Sequence, residues 1–171
     1  MKKKWAIGLA VAALGGTALG VDVSAGTATA TPSSGVTTPL LVRGVTDALN
    51  LHAKTIPANT WGADIQTRGQ TDLYAVENVF APGGTTGWHS HPGPSLVLII
   101  SGAVTDYSSN DPSCAGVTYS AGQSFIDTGG SEVHMVRNNG TVEAKVIAVQ
   151  FIPHGDQRKI DEPVPANCSG V

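Results

Sequence analysis

Three of the five histidines in this 171-residue chain have a spacing that chemistry can use. His89 and His91 are one residue apart in the strand-like segment Trp88 to His91, and side chains two apart on a strand point to the same face of the sheet. His134 falls in a later strand-like segment, after the Gly129-Gly130 turn, where an antiparallel neighbour can bring it to the same point. Neutral imidazole is a good ligand for zinc, copper, iron and nickel. His89, His91 and His134 are therefore the candidate metal ligands, and the expected cofactor is one divalent ion of Fe, Cu, Ni, Mn or Zn. Three ligands leave at least one coordination position open. The competing use of the same residues is a barrel lining satisfied by hydrogen bonds. Against it, buried imidazoles need partners, and three in one pocket repel one another when protonated. His52 and His154 are expected at the surface, the latter in the loop sequence Pro153-His154-Gly155.

The elements that must position these residues are short and rich in β-branched and aromatic side chains. Leu49 to Ile56, Leu73 to Phe80, Trp88 to His91, Leu96 to Tyr107, Gly116 to Tyr119, Ser124 to Ile126, Val133 to Val136 and Ala144 to Ile152 all read as strands. Between them stand turn sequences such as Pro82-Gly83-Gly84, Pro92-Gly93-Pro94 and Asn138-Asn139-Gly140. A helical turn has room only at Arg43 to Leu49 and Gln66 to Gly69. The chain is thus all-β, and short strands at this spacing make a sandwich or barrel. There is no internal repeat, so one barrel per chain is expected. If alternation carries through the Pro92–Pro94 break, Ser95, Val97 and Ile99 face inward and line a mostly apolar pocket suited to a small organic molecule. Trp88 then faces away from the histidines, with packing as its role.

At this point a resemblance emerges. Gly83, His89, His91, Ser95 and Gly102 stand at the spacing of the first cupin motif, and Gly122, His134 and Asn138 are similar to the second. The resemblance implies a double-stranded β-helix, or jelly-roll, barrel with a metal held by the motif histidines. Two places depart from the family pattern: Ser95 occupies the position of the motif glutamate, and Thr128 that of a proline. The chain therefore resembles the three-histidine subset of quercetin dioxygenase-like cupins. Without the carboxylate the ion keeps its full double charge and favours an anionic ligand. Glu77, Asp127 and Glu132 are the acids able to stand in for it or to act as a general base.

The chain opens on Met1-Lys2-Lys3-Lys4 followed by an apolar run from Trp5 to Val21 rich in Gly and Ala. This is the pattern of a signal peptide over residues 1–30, though a retained anchor has the same ingredients. Residues 31–39 belong to a Thr/Ala/Ser/Pro-rich stretch read as a flexible linker, and 40–171 as the barrel domain with a charged C-terminal tail. Removing residues 1–30 takes Lys2, Lys3, Lys4 and Asp22, leaving seven basic against twelve acidic residues. An acidic domain without basic clusters is a poor nucleic-acid binder. Cys114 and Cys168 are the two cysteines, and in an exported chain an even pair favours a disulfide over free thiols.

These residues support a secreted or cell-envelope protein. Its partners are a small-molecule ligand or substrate and, since exposed edge strands invite pairing, a second copy of the chain. The leading function is a metal-dependent, dioxygenase-like enzyme acting on an anionic, phenolic or enolisable molecule. The alternatives are a non-catalytic binder of a small ligand or metal, and a structural envelope protein. Fold alone does not choose among them.

Overall fold

The structure is a computed structural model that describes residues 29–57 and 60–171. The leader expected over residues 1–30 lies outside the described residues except for its last two. The strands are β1 (Ser34–Thr37), β2 (Leu40–Thr46), β3 (Asn50–Lys54), β4 (Gly62–Gln66), β5 (Thr71–Thr85), β6 (His89–Ser90), β7 (Ser95–Ser101), β8 (Ala103–Ser108), β9 (Val117–Ser120), β10 (Ser124–Asp127), β11 (His134–Arg137), β12 (Ala144–Pro153) and β13 (Ile160–Asp161). Among the described residues the only helical turn is the 3-10 turn Ala166–Cys168. Eleven strands form one sheet with the path β10-β7-β12-β5-β11-β6-β13, to which β1, β2, β8 and β9 attach, while β3 and β4 make a separate hairpin. All named pairings are antiparallel. This is the all-β jelly-roll barrel that the sequence leads one to expect.

Alternation decides what faces inward. On β7, Ser95, Val97 and Ile99 are buried while Leu96, Leu98 and Ile100 are exposed. On β12 the inward row is Ala144, Val146, Ala148, Gln150 and Ile152. The β7–β12 register brings these rows together, and Phe80 and Phe125 close the core between them. A second, smaller cluster of Trp88, Met135, Cys114 and Cys168 packs beside it. Trp88 is therefore a packing residue, as expected.

Several boundaries differ from the sequence reading. Strand β5 does not stop at Phe80 but continues through Pro82-Gly83-Gly84 to Thr85. The glycines make a bend in the strand instead of a turn: Gly83 has φ +75°, and a Cβ on Gly84 would lie 2.4 Å from the Gly35 carbonyl oxygen of β1. The linker expected over 31–39 is in part a strand, because β1 pairs with β5 and the Thr31 amide donates to the Glu162 carbonyl at 3.0 Å. Main-chain hydrogen bonds do not need apolar side chains, so the composition of this stretch hides them. The same reason explains Arg43 to Leu49, where the chain is extended through Thr46 and pairs with β5. The C-terminal segment is no loose tail either: Ile160 and Asp161 pair with Ser90 and His89.

Candidate metal centre

Strand pairing assembles the histidines. His89 sits on β6 directly opposite His134 on β11, and His91 follows β6 on the same side of the chain. The ring centroids are 4.8 Å apart for His89 and His91, 4.4 Å for His89 and His134, and 5.6 Å for His91 and His134. One ring nitrogen from each lies within 4.8 Å of the other two, and all three residues are buried.

Each imidazole is held from behind. Nδ1 of His89 is 2.9 Å from the Gly87 carbonyl oxygen, Nδ1 of His91 is 2.6 Å from the Arg158 carbonyl oxygen, and Nδ1 of His134 is 2.9 Å from Oδ1 of Asp106. All three partners are acceptors, so each Nδ1 donates and the lone pair sits on Nε2. Metal-ligating histidines characteristically give their other N–H to a carboxylate or carbonyl in this way, which fixes both tautomer and ring orientation. The Gly87 carbonyl depends on that residue's φ of +65°, and a Cβ there would meet the Thr31 carbonyl oxygen at 2.1 Å. Nε2 of His134 is buried without a hydrogen-bond partner among the described residues. Three oriented Nε2 atoms, one of them an orphan, fit a divalent ion.

The surroundings were only partly legible. Ser95 is buried, and its Oγ accepts from Nε2 of Gln150 at 2.9 Å, while Oε1 of Gln150 accepts from Arg158 at 2.9 Å. Gln150 could have been noticed as the polar member of the apolar inward row of β12. No local signal marks Arg158 or Lys159, which the sequence places in an exposed tail; both line the cavity in front of the histidines. Ser95 and Val97 also line it. Ile99, expected there as well, lies in the apolar core two residues further along β7 and does not line the cavity. The cavity holds about 50 Å³. A larger open groove of about 540 Å³ runs between residues 64–71 and the Pro92-Gly93-Pro94 turn, and contains none of the three histidines.

Of the three acids singled out from sequence, Glu132 is taken by the hydroxyls of Ser108 and Thr128, each at 2.6 Å. Glu77 lies on β5 and is absent from the cavity wall. Asp127 alone approaches the imidazoles: its Oδ2 is 3.7 Å from Nε2 of His91 and 3.6 Å from Nε2 of His134. His154 is exposed, as expected, and its Nδ1 contacts the buried carboxylate of Asp72 at 2.9 Å, which Arg43 also holds. His52 is exposed, as expected, on the β3–β4 hairpin beside Asp64. Cys114 and Cys168 form a disulfide with a Cα–Cα distance of 5.4 Å.

Burial, reinforced by the neighbouring imidazoles, pushes His89 well below the usual histidine range. Burial likewise takes His91 down to about 4. For His134 burial acts in the same direction, but the hydrogen bond to Asp106 and the charge of Asp127 outweigh it and raise the group. Below about 6.5 an unfolded histidine takes up a proton that folded His89 and His91 refuse, so stability falls with falling pH. His134 works oppositely: its contribution is present below 6.5 and fades as pH rises through its raised value. The metal-free protein is therefore expected to be most stable near neutrality. It should lose on the order of 2–3 kcal/mol between pH 6.5 and 4 on account of His91, before carboxylate effects enter. Urea midpoints measured in chelator across that range check it, and a flat profile contradicts it.

Residues 77–150 match the family model described as Cupin domain, an interval that contains both motifs. No curated protein matches the chain. Among solved structures, Peruvianin-I, a cysteine peptidase from Thevetia peruviana latex, is similar at 31% identity over 46% of this chain and 49% of its own, with a TM-score of 0.41. The chain thus spans about half of that protein's length. An uncharacterized conserved protein with a double-stranded beta-helix domain from Klebsiella pneumoniae is 20% identical over 68% of this chain and 85% of its own, with a TM-score of 0.45. An oxalate oxidase in complex with glycolate is 27% identical over 47% and 42%, with a TM-score of 0.40. At these scores the barrel is defined by its own strand pairing.

Proposed function

Residues 77–150 match the Cupin domain family model, and on that likeness we propose that the chain is an exported metal-binding protein of cupin type. In this reading His89, His91 and His134 hold one divalent ion, which in turn anchors a small anionic or enolisable molecule for dioxygenase-like chemistry. The observation that carries this reading is the shared hydrogen-bond pattern of the three imidazoles, each donating Nδ1–H outward and leaving Nε2 toward its neighbours.

A bound divalent ion supplies Lewis-acid polarisation of an anionic ligand and, where its oxidation state can change, electron exchange with O₂. The chain's own residues do the rest. Gly87, Arg158 and Asp106 hold the imidazoles in one tautomer. Phe80 and Val97 give the cavity an apolar wall that excludes water, and Arg158 places positive charge at its side, while the ammonium of Lys159 is paired with Asp161. The Ser95–Gln150–Arg158 chain keeps the buried polar atoms paired. A space of about 50 Å³ suits a few non-hydrogen atoms beyond an ion and is far below the several hundred Å³ of typical organic-ligand sites. Small acids thus fit better than ring-bearing phenols. The same tightness favours the second reading, a non-catalytic binder of metal or of a small anion.

Export is supported by the Cys114–Cys168 disulfide, since such bonds persist in oxidising compartments. No helix among the described residues is long and apolar enough to cross a membrane.

Elemental analysis of the protein after incubation with divalent ions tests the centre. About one ion per chain is expected in wild type, with near-complete loss in His89→Ala and His134→Ala. Iron, copper, nickel or manganese, with oxygen uptake on small carboxylic acids, supports the enzyme. Zinc without turnover supports the binder. Absence of any ion in wild type would leave the histidines as barrel lining.

A further inference from the structure

We propose that Asp127 is the fourth protein ligand of this centre, a carboxylate supplied from β10 in place of the one lacking at Ser95. The assignment rests on the three-histidine reading and adds a residue to it.

The first support is position. Asp127 on β10 is the direct cross-strand partner of Ser95 on β7, and both are buried on the inner face. Directly opposed residues on one face have Cβ atoms about 4.5–5.5 Å apart. A carboxylate at 127 therefore reaches the space that a longer acid at 95 would occupy, from the other side of the ladder. Ser95 cannot fill the role: it is uncharged, and its Oγ already accepts from Gln150.

The second support is an unmet demand. Asp127 is 2% exposed. Its Oδ1 accepts from the Gly129 amide at 2.9 Å, but Oδ2 is buried with no hydrogen-bond partner. That oxygen faces Nε2 of His91 at 3.7 Å and of His134 at 3.6 Å, and Nε2 of His134 is itself unpartnered. Since both rings donate Nδ1–H elsewhere, in their neutral, metal-binding forms two nitrogen lone pairs confront a carboxylate oxygen. Electron-rich atoms placed this way repel unless a cation lies among them, and a buried carboxylate lacking one is strongly disfavoured. Donor atoms sharing one ion through bonds of about 2.1 Å stand roughly 3–3.4 Å apart, so the spacings from Asp127 to His91 and His134 need to close by only a few tenths of an ångström, while the imidazole nitrogens, spread over as much as 4.8 Å, draw together further. No lysine or arginine is paired with Asp127 among the described residues.

The consequence is chemical. Three imidazoles and one carboxylate lower the net charge of a divalent centre from two to one, which favours a monoanionic ligand over a dianionic one and leaves fewer open positions than three histidines alone.

Asp127→Asn keeps shape and removes charge. Zinc and cobalt affinities, measured by competition with a chromophoric chelator, are expected to fall by about 100-fold, and the visible spectrum of the cobalt form to change. Without metal, and at a pH high enough to keep His134 neutral, the Asp127→Asn thermal midpoint should equal or exceed that of wild type, because an uncompensated buried charge has gone; this separates ligand loss from misfolding. Adding Ser95→Glu to Asp127→Asn should restore much of the affinity. Unchanged affinity and cobalt spectrum in Asp127→Asn overturn the assignment while leaving the histidines as ligands. Failure of wild type to bind either ion overturns the centre itself.

Discussion

Breaking the Cys114–Cys168 disulfide, by reduction or by Cys114→Ser with Cys168→Ser, is expected to lower stability by about 4 kcal/mol, the loop-closure contribution of a bridge between residues 54 apart. For a domain of this size that corresponds to a thermal midpoint roughly 10–15 °C lower. The bond also ties down the C-terminal segment that supports the centre. Cys168 follows the segment in which the Arg158 carbonyl accepts from His91 and Ile160–Asp161 pair with β6. Loosening that segment should weaken metal retention as well, though less than loss of a histidine. Thermal melts with and without reductant, combined with chelator competition, read both effects. An unchanged midpoint would mean that the packing of Trp88, Met135 and neighbouring residues holds the tail without the bond.

Truncating Phe80 to alanine should destabilise the fold by roughly 3–5 kcal/mol. Phe80 is 1% exposed, belongs to the main core and forms part of the cavity wall. Its neighbours are strand residues pinned by main-chain pairing to β12 and β1, so the hole cannot collapse easily. Phe80→Leu restores most of the volume and should cost less than about 1.5 kcal/mol. The two variants separate stability from site geometry. Phe80→Ala should still bind metal when folded, because no ligand has moved, but should admit larger anions than wild type. Denaturant titration gives the first quantity and ligand-induced shifts of the cobalt spectrum the second. Equal stability of the two variants would show that the core repacks around the loss.

Some of this was legible in residue order because it depends only on local geometry. A period of two puts His89 and His91 on one face wherever the strand lies, and it likewise separates Ser95 and Val97 from Leu96 and Leu98. Glycine and proline punctuation marked most strands of the barrel. The paired cysteines needed only an oxidising compartment to be joined. The boundaries that went astray are those set by main-chain bonding alone. The Ser- and Thr-rich β1 and the short β13 carry no hydrophobic pattern, so composition made one a linker and the other a tail.

By itself, then, the sequence determined an all-β chain, the three imidazoles able to share an ion, and the cysteine pair. Tertiary structure decided the register, and with it everything that depends on which residues stand opposite one another. Asp127 was one of three comparable acids until β10 paired with β7 and set it against Ser95 and two imidazoles. Gln150 lies 55 residues along the chain from Ser95, and the Arg158 carbonyl behind His91 lies 67 residues from that ring. Contacts of that range are fixed by strand order and pleat phase, and a one-residue slip would turn each side chain to the opposite face.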